Sequence, residues 1–85
     1  MTDLLAILQG HFPEESDTIR QRLDEDPTLK EIEENYRDCI AALHYWRRSE
    51  APEAHTRIRE YSTFSKEIEQ EAVATYQVHV LQSRT

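Results

Sequence analysis

Four histidines, at positions 11, 44, 55 and 79, are the side chains best suited to hold a metal ion or move a proton near neutral pH. Ligation from helices needs ligands that recur on one face, as in Glu-x-x-His or His-Glu-x-x-His, because coordination geometry demands convergence. Neither pattern occurs: Ile40 and Ala41 stand one turn before His44, and Ala51 and Pro52 one turn before His55. The histidines are scattered over several elements, so each reads as structural or solvent-exposed, and no metal or cofactor is expected. Carboxylates are plentiful, but general acid or base work needs one desolvated in a pocket. Glu53 and Glu60, four and three residues from Arg57, read instead as ordinary surface partners on a helix. With a single glycine the chain has no Gly-rich phosphate loop, and its serines sit in no nucleophile elbow. The expectation is a protein that is not an enzyme and has no catalytic residue.

Two other groups of residues are candidates for binding. Arg47, Arg48, Arg57 and Arg59, with His44 and His55 close by, fall around a helix turn, where they could meet a phosphate, an RNA backbone or an acidic partner. The plainer alternative is a solvated loop with cations at a helix C-terminus, where they are favourable anyway. Trp46 is either an anchor of such a site or a plug at the end of the apolar seam. The second group is Leu4, Leu5, Ile7, Leu8 and Phe12, too apolar to stay exposed on a short helix. These fold back as a lid or dock in a groove of another protein or subunit, Leu4, Leu5, Leu8 and Phe12 being the candidate partner contacts.

The elements that position these residues follow from apolar spacing. Leu29, Ile32, Tyr36, Cys39, Leu43 and Trp46 alternate at intervals of three and four, and so do Ala54, Ile58, Tyr61, Ser65, Ile68 and Ala72. Such heptads give two long helices, each with a narrow apolar seam, folded back at Ser49-Glu50-Ala51-Pro52. A turn near Glu50 sets Leu43 opposite Ile58, Ile40 opposite Tyr61, Tyr36 opposite Phe64 and Ile32 opposite Ile68. Upstream, Thr2 is a candidate N-cap for a short helix that ends at Gly10, and Pro13 opens a second one. Pro27 stops the second helix while Asp26 caps the next. The expected boundaries are short helices within 1–26, hairpin helices at 27–48 and 52–75, and a tail at 76–85. Tyr76-Gln77-Val78-His79-Val80-Leu81 alternates as a strand does, yet it also continues a helix with Tyr76 and Val80 on one side. With no partner strand in sight, a fraying helix or a mobile tail is the preferred reading.

Composition bounds what remains. The chain has 85 residues, 32% of them charged, with a formal net charge of −7 and a mean hydropathy of −0.81. That excess of anions argues against general nucleic-acid or anionic-membrane binding. Residues 14 to 38 hold ten carboxylates against four cations, so the hairpin has a basic tip and an acidic opposite end. A single cysteine excludes an internal disulfide, and Cys39 on the seam reads as a small buried apolar residue. Neither a leader-like N-terminus nor an apolar run of about 18 residues is present, so a cytoplasmic, soluble location is expected.

One register of residues resembles a known family. Phe12-Pro13-Glu14, Ile19, Leu23, Asp26-Pro27, Leu29, Ile32 and Tyr36, followed by Ser65-Lys66-Glu67-Ile68, are similar to the YdcH-like small bacterial proteins, a family of unknown function. The resemblance spans about residues 8 to 72 and implies a self-associating helical hairpin with no catalytic residues to carry over. The N-terminal extension, the Ala-Leu-His-Tyr-Trp-Arg-Arg segment and the β-prone tail depart from that pattern.

The sequence thus reads as all-α: a long antiparallel helical hairpin, coiled-coil-like, with one or two short N-terminal helices packed on it. A seam this narrow leaves little core, so a homodimer through the seam, or another protein, is expected to cover it. The function that follows is a non-catalytic module for protein–protein interaction or self-association. The alternative is polyanion or phosphate-ligand binding at the tip, which Arg47→Glu with Arg57→Glu should abolish while leaving seam association alone.

Overall fold

The structure, a computed structural model, describes residues 3–82. Four α-helices follow one another: α1 (Leu4–His11), α2 (Ser16–Glu25), α3 (Pro27–Arg47) and α4 (Ala54–Tyr76). A 3₁₀ turn at Pro13–Glu15 leads into α2, and a π-helical segment at Gln77–Leu81 extends α4. The described residues contain no strand. α3 and α4 pair antiparallel as the predicted hairpin, and α1 and α2 pack on it. The molecule measures 51 × 21 × 18 Å.

Helix starts follow local chemistry. Asp3 caps α1, its Oδ1 accepting from the Ala6 N–H at 2.8 Å; Thr2 lies outside the described residues. Asp26 caps α3 as expected, with Oδ1 accepting from Thr28 and Leu29 at 2.9 and 3.2 Å and Pro27 in the first turn. The chain reverses through Arg48–Glu53, where Ser49 Oγ accepts from the Ala51 N–H at 3.1 Å. The Ala54 N–H donates to Ala51 at 3.0 Å, so Pro52 belongs to the turn and α4 begins two residues later than expected.

Gly10 is not the cap that its type suggested. It sits inside α1, no described glycine has a positive φ, and the C-cap is Phe12, whose N–H reaches Leu8 at 2.8 Å. Because a Cβ at Gly10 would meet nothing within 4 Å, Gly10→Ala should stabilise the fold by roughly 0.5–1 kcal/mol. A urea midpoint shifted upward is the measurement that checks it.

The seam closes within the chain. Leu29, Ile32, Tyr36, Cys39 and Leu43 of α3 are buried, as are Ala54, Ser65, Ile68 and Ala72 of α4. Ser65 satisfies its hydroxyl by donating to the Ser62 carbonyl at 2.8 Å. The remaining cover comes from the chain's two ends. Leu4, Leu8, Ile19 and Leu23 from the N-terminal helices join Tyr76 and Val80 from the C-terminal segment in one apolar cluster around the open end of the hairpin. Within the chain, then, the seam residues are covered by one another and by the chain's own short helices and C-terminal segment.

Two register details also differ. Phe64 does not face Tyr36; its side chain is 53% exposed, while the Tyr36 hydroxyl donates to Glu69 Oε2 at 3.2 Å. The tail continues as helix rather than strand as far as Gln82, whose N–H donates to the Gln77 carbonyl in π fashion. Tyr76 and Val80 continue the buried stripe of Ala72.

Candidate interaction surfaces

α1 descends from mid-hairpin to the open end. Asp3, Leu4 and Leu5 lie beside Ile40, Ala41 and His44, and at its other end Phe12 stacks on Tyr76 with ring centroids 5.0 Å apart. Leu4 and Leu8 are buried, and Leu5, Ile7 and Phe12 pack partly buried against the core. The two readings of these residues are thus resolved for Leu4 and Leu8. They form the lid on their own chain rather than a face offered to a partner, because the open end of the hairpin gives them a complete apolar seat.

The tip half of the hairpin is left bare on both sides. On the α1 side, Tyr36, Ile40 and His44 form a ridge shared by two open grooves. One, of about 420 Å³, includes Leu4, Leu5, Glu33, Arg37 and Ala41; the other, of about 360 Å³, includes Leu43, Arg47, Ser62, Lys66 and Glu69. Burial, with the Glu69 carboxylate alongside, pushes the Tyr36 phenol up to about 12. It is therefore a neutral donor to Glu69 rather than a proton source. On the other side, Asn35, Asp38, Cys39, Ala42, Tyr61 and Phe64 line a groove of about 260 Å³ with no contribution from α1 or α2. Cys39 donates its thiol to the Tyr61 carbonyl at 3.3 Å, and burial pushes that thiol up, which suits an inert seam residue.

The tip arginines do not act together. Arg47 lines the groove with Lys66, which holds none of the other three. Arg48 donates from Nε to the His44 carbonyl at 3.3 Å, and Arg57 pairs with Glu60 at 3.0 Å. Arg59 is exposed on α4. Trp46 is half-buried and meets Tyr45 edge to face at 5.0 Å, leaving Tyr45 62% exposed. Among the described residues no group of three or more His, Cys, Asp or Glu could hold a metal ion, and no helix is long and apolar enough to cross a membrane.

The residue that the sequence reading left out of the site is His79. Its Nδ1 lies 2.9 Å from Asp26 Oδ2, fastening the C-terminal segment to the start of α3. The signal was present as the buried pair Tyr76 and Val80, which brings the intervening His79 towards the α2–α3 junction.

Compared with known protein families, with curated proteins and with solved structures, the chain matches none. The YdcH-like resemblance accordingly rests on the residues quoted for it.

Proposed function

We propose that this chain is a non-catalytic association module, joining a second copy of itself or another protein through the uncovered tip half of its hairpin. The observation that supports this reading is the pair of large rings, Phe64 and Tyr45, more than half exposed, while the other large apolar side chains of α3 and α4 are buried or partly buried. Aromatic side chains are enriched where one protein meets another. Polyanion binding at the tip has less support. Arg48 and Arg57 already have internal acceptors, and the chain carries a net charge of −7.

Sedimentation across a concentration range, repeated at low and high salt, tests the reading. Association should respond to dilution and persist in salt, whereas a polyanion complex would weaken steeply as salt rises. Arg47→Glu with Arg59→Glu should leave association within about threefold of wild type, since exposed charges away from the contact change affinity little. A chain that stays monomeric and binds a polyanion until those two arginines are reversed would overturn the proposal in favour of the tip.

A further inference from the structure

We infer that the groove holding Arg47 and Lys66 binds a small organic anion, one carboxylate or sulfonate carried on an apolar ring or branched chain. It lies on the opposite side of the hairpin from Phe64 and does not depend on the association proposed above. Its walls are the facing sides of α3 and α4, with Tyr36, Ile40 and Leu43 on one and Ser62 and Lys66 on the other. No described residue of α1 or α2 lines it. Its volume of about 360 Å³ falls at the lower end of the range that small-molecule sites occupy.

The charges of this groove select the ligand. Arg47 and Lys66 stand on opposite walls, both exposed. Neither has an ion pair or hydrogen bond among the described residues, whereas Arg48 and Arg57 are engaged within the chain. Helical side chains lean towards the N-terminus of their own helix. Because α3 and α4 run antiparallel, Arg47 leans from the tip towards the open end, and Lys66 leans towards the tip. The two cations thus converge over the apolar floor of Ile40 and buried Leu43, with the His44 ring alongside. Glu69 is, among the described residues, the one carboxylate of the lining. It belongs to the Tyr36 end, where it accepts from the phenol at 3.2 Å. A ligand that sets one anionic group between Arg47 and Lys66 and its apolar body on Ile40 and Leu43 satisfies both features. Bare phosphate leaves the floor wet, and a neutral hydrocarbon leaves the cations unused. An extended polyanion runs into Glu69.

The test is a heteronuclear NMR titration of the full chain at low salt with phenylacetate, and with phenylacetamide as its neutral counterpart. Far-UV circular dichroism confirms that each variant is folded. Phenylacetate should shift the amide signals of Ile40, Leu43, Arg47, Ser62 and Lys66 saturably, with a Kd of about 1–10 mM for so small a ligand. Phenylacetamide should bind at least about tenfold more weakly. Arg47→Glu and Lys66→Glu should each weaken the acid at least about fivefold. Arg57→Glu, outside the groove, should change it by less than about twofold, as screening between separated charges allows. Glu69→Gln removes the lining carboxylate and should tighten binding by about two- to threefold. Shifts that never saturate overturn the site, and shifts gathered around Phe64 or Tyr45 overturn its place. Acid and amide binding alike, or the acid indifferent to both charge reversals, overturn the anion. A Glu-rich helical peptide that shifts these signals where phenylacetate does not would make the groove a protein contact and overturn the small ligand. None of these outcomes bears on sedimentation, so the association reading stands or falls separately.

Discussion

Tyr76→Ala is expected to remove most of the stability of the fold, roughly 3–5 kcal/mol, as large aromatic truncations in a core do. The ring is wholly buried, at 0% exposure, and stacks on Phe12. It stands where α4 passes into the π-helical segment, within the cluster formed by Leu4, Leu8, Ala72 and Val80. Removing it leaves a cavity where the end of α4 meets α1. Domains of this size hold roughly 5–15 kcal/mol in total, so the variant should be partly unfolded at room temperature. Urea unfolding followed at 222 nm measures this, with Val78→Ala as the control. Val78 is 55% exposed two residues away and should shift stability by no more than about 0.5 kcal/mol.

Asp26→Ala is expected to be the most damaging change to a polar side chain, at about 1.5–3 kcal/mol, because it deletes a helix cap and a charged hydrogen bond together. One oxygen accepts from the Thr28 and Leu29 N–H groups and the other lies against His79. Burial pushes the Asp26 carboxyl up, but the His79 contact and the two backbone donors outweigh it, so the group ends below its ordinary value of 3.8. The sign follows directly. The carboxylate contributes stability above the unfolded-state value, and that contribution is lost as pH falls through the lower folded-state value. Asp26→Asn keeps much of the cap while removing the charge. Its deficit against wild type should therefore be present near neutral pH and shrink as pH falls below 3.8. A deficit that stayed constant down to strongly acidic pH would show that the charge has no part in it.

The hairpin was legible because heptad spacing constrains both helix type and buried face, and because Pro27 after Asp26 marks a helix start unambiguously. Opposing positions were matched less well. Matching residue numbers across a turn gives height along the axis but not rotation about it. Tyr36 was therefore set against Phe64, although Ser65, one residue on, takes the inward direction. Gly10 was misread because its type is as common after a helix as within one is rare, while Phe12 had the better-placed N–H. The tail was ambiguous for a physical reason too. Alternating β-branched residues suit a strand, and only burial of Tyr76 and Val80 against distant Leu4 and Leu8 decides for a helix.

The candidate site was less legible than the fold. The arginines cluster in sequence around the turn, yet a helix distributes neighbouring side chains around its circumference. Arg47 and Arg57 consequently take up different faces. The N-terminal leucines carried a clear signal of burial, but left open whether their seat was the open end of the hairpin or a groove of another protein. Phe64 was hidden by being set opposite Tyr36 across the hairpin, although the seam spacing itself ran through Ser65, and its exposure is seen only in the structure.

The clasp between α1 and the end of α4 has a consequence for biosynthesis. Leu4 and Leu8 of α1 share their cluster with Tyr76 and Val80, residues translated after α3 and most of α4, so that part of their cover arrives after the rest. Closing that contact spans nearly the whole chain, which places it late in folding.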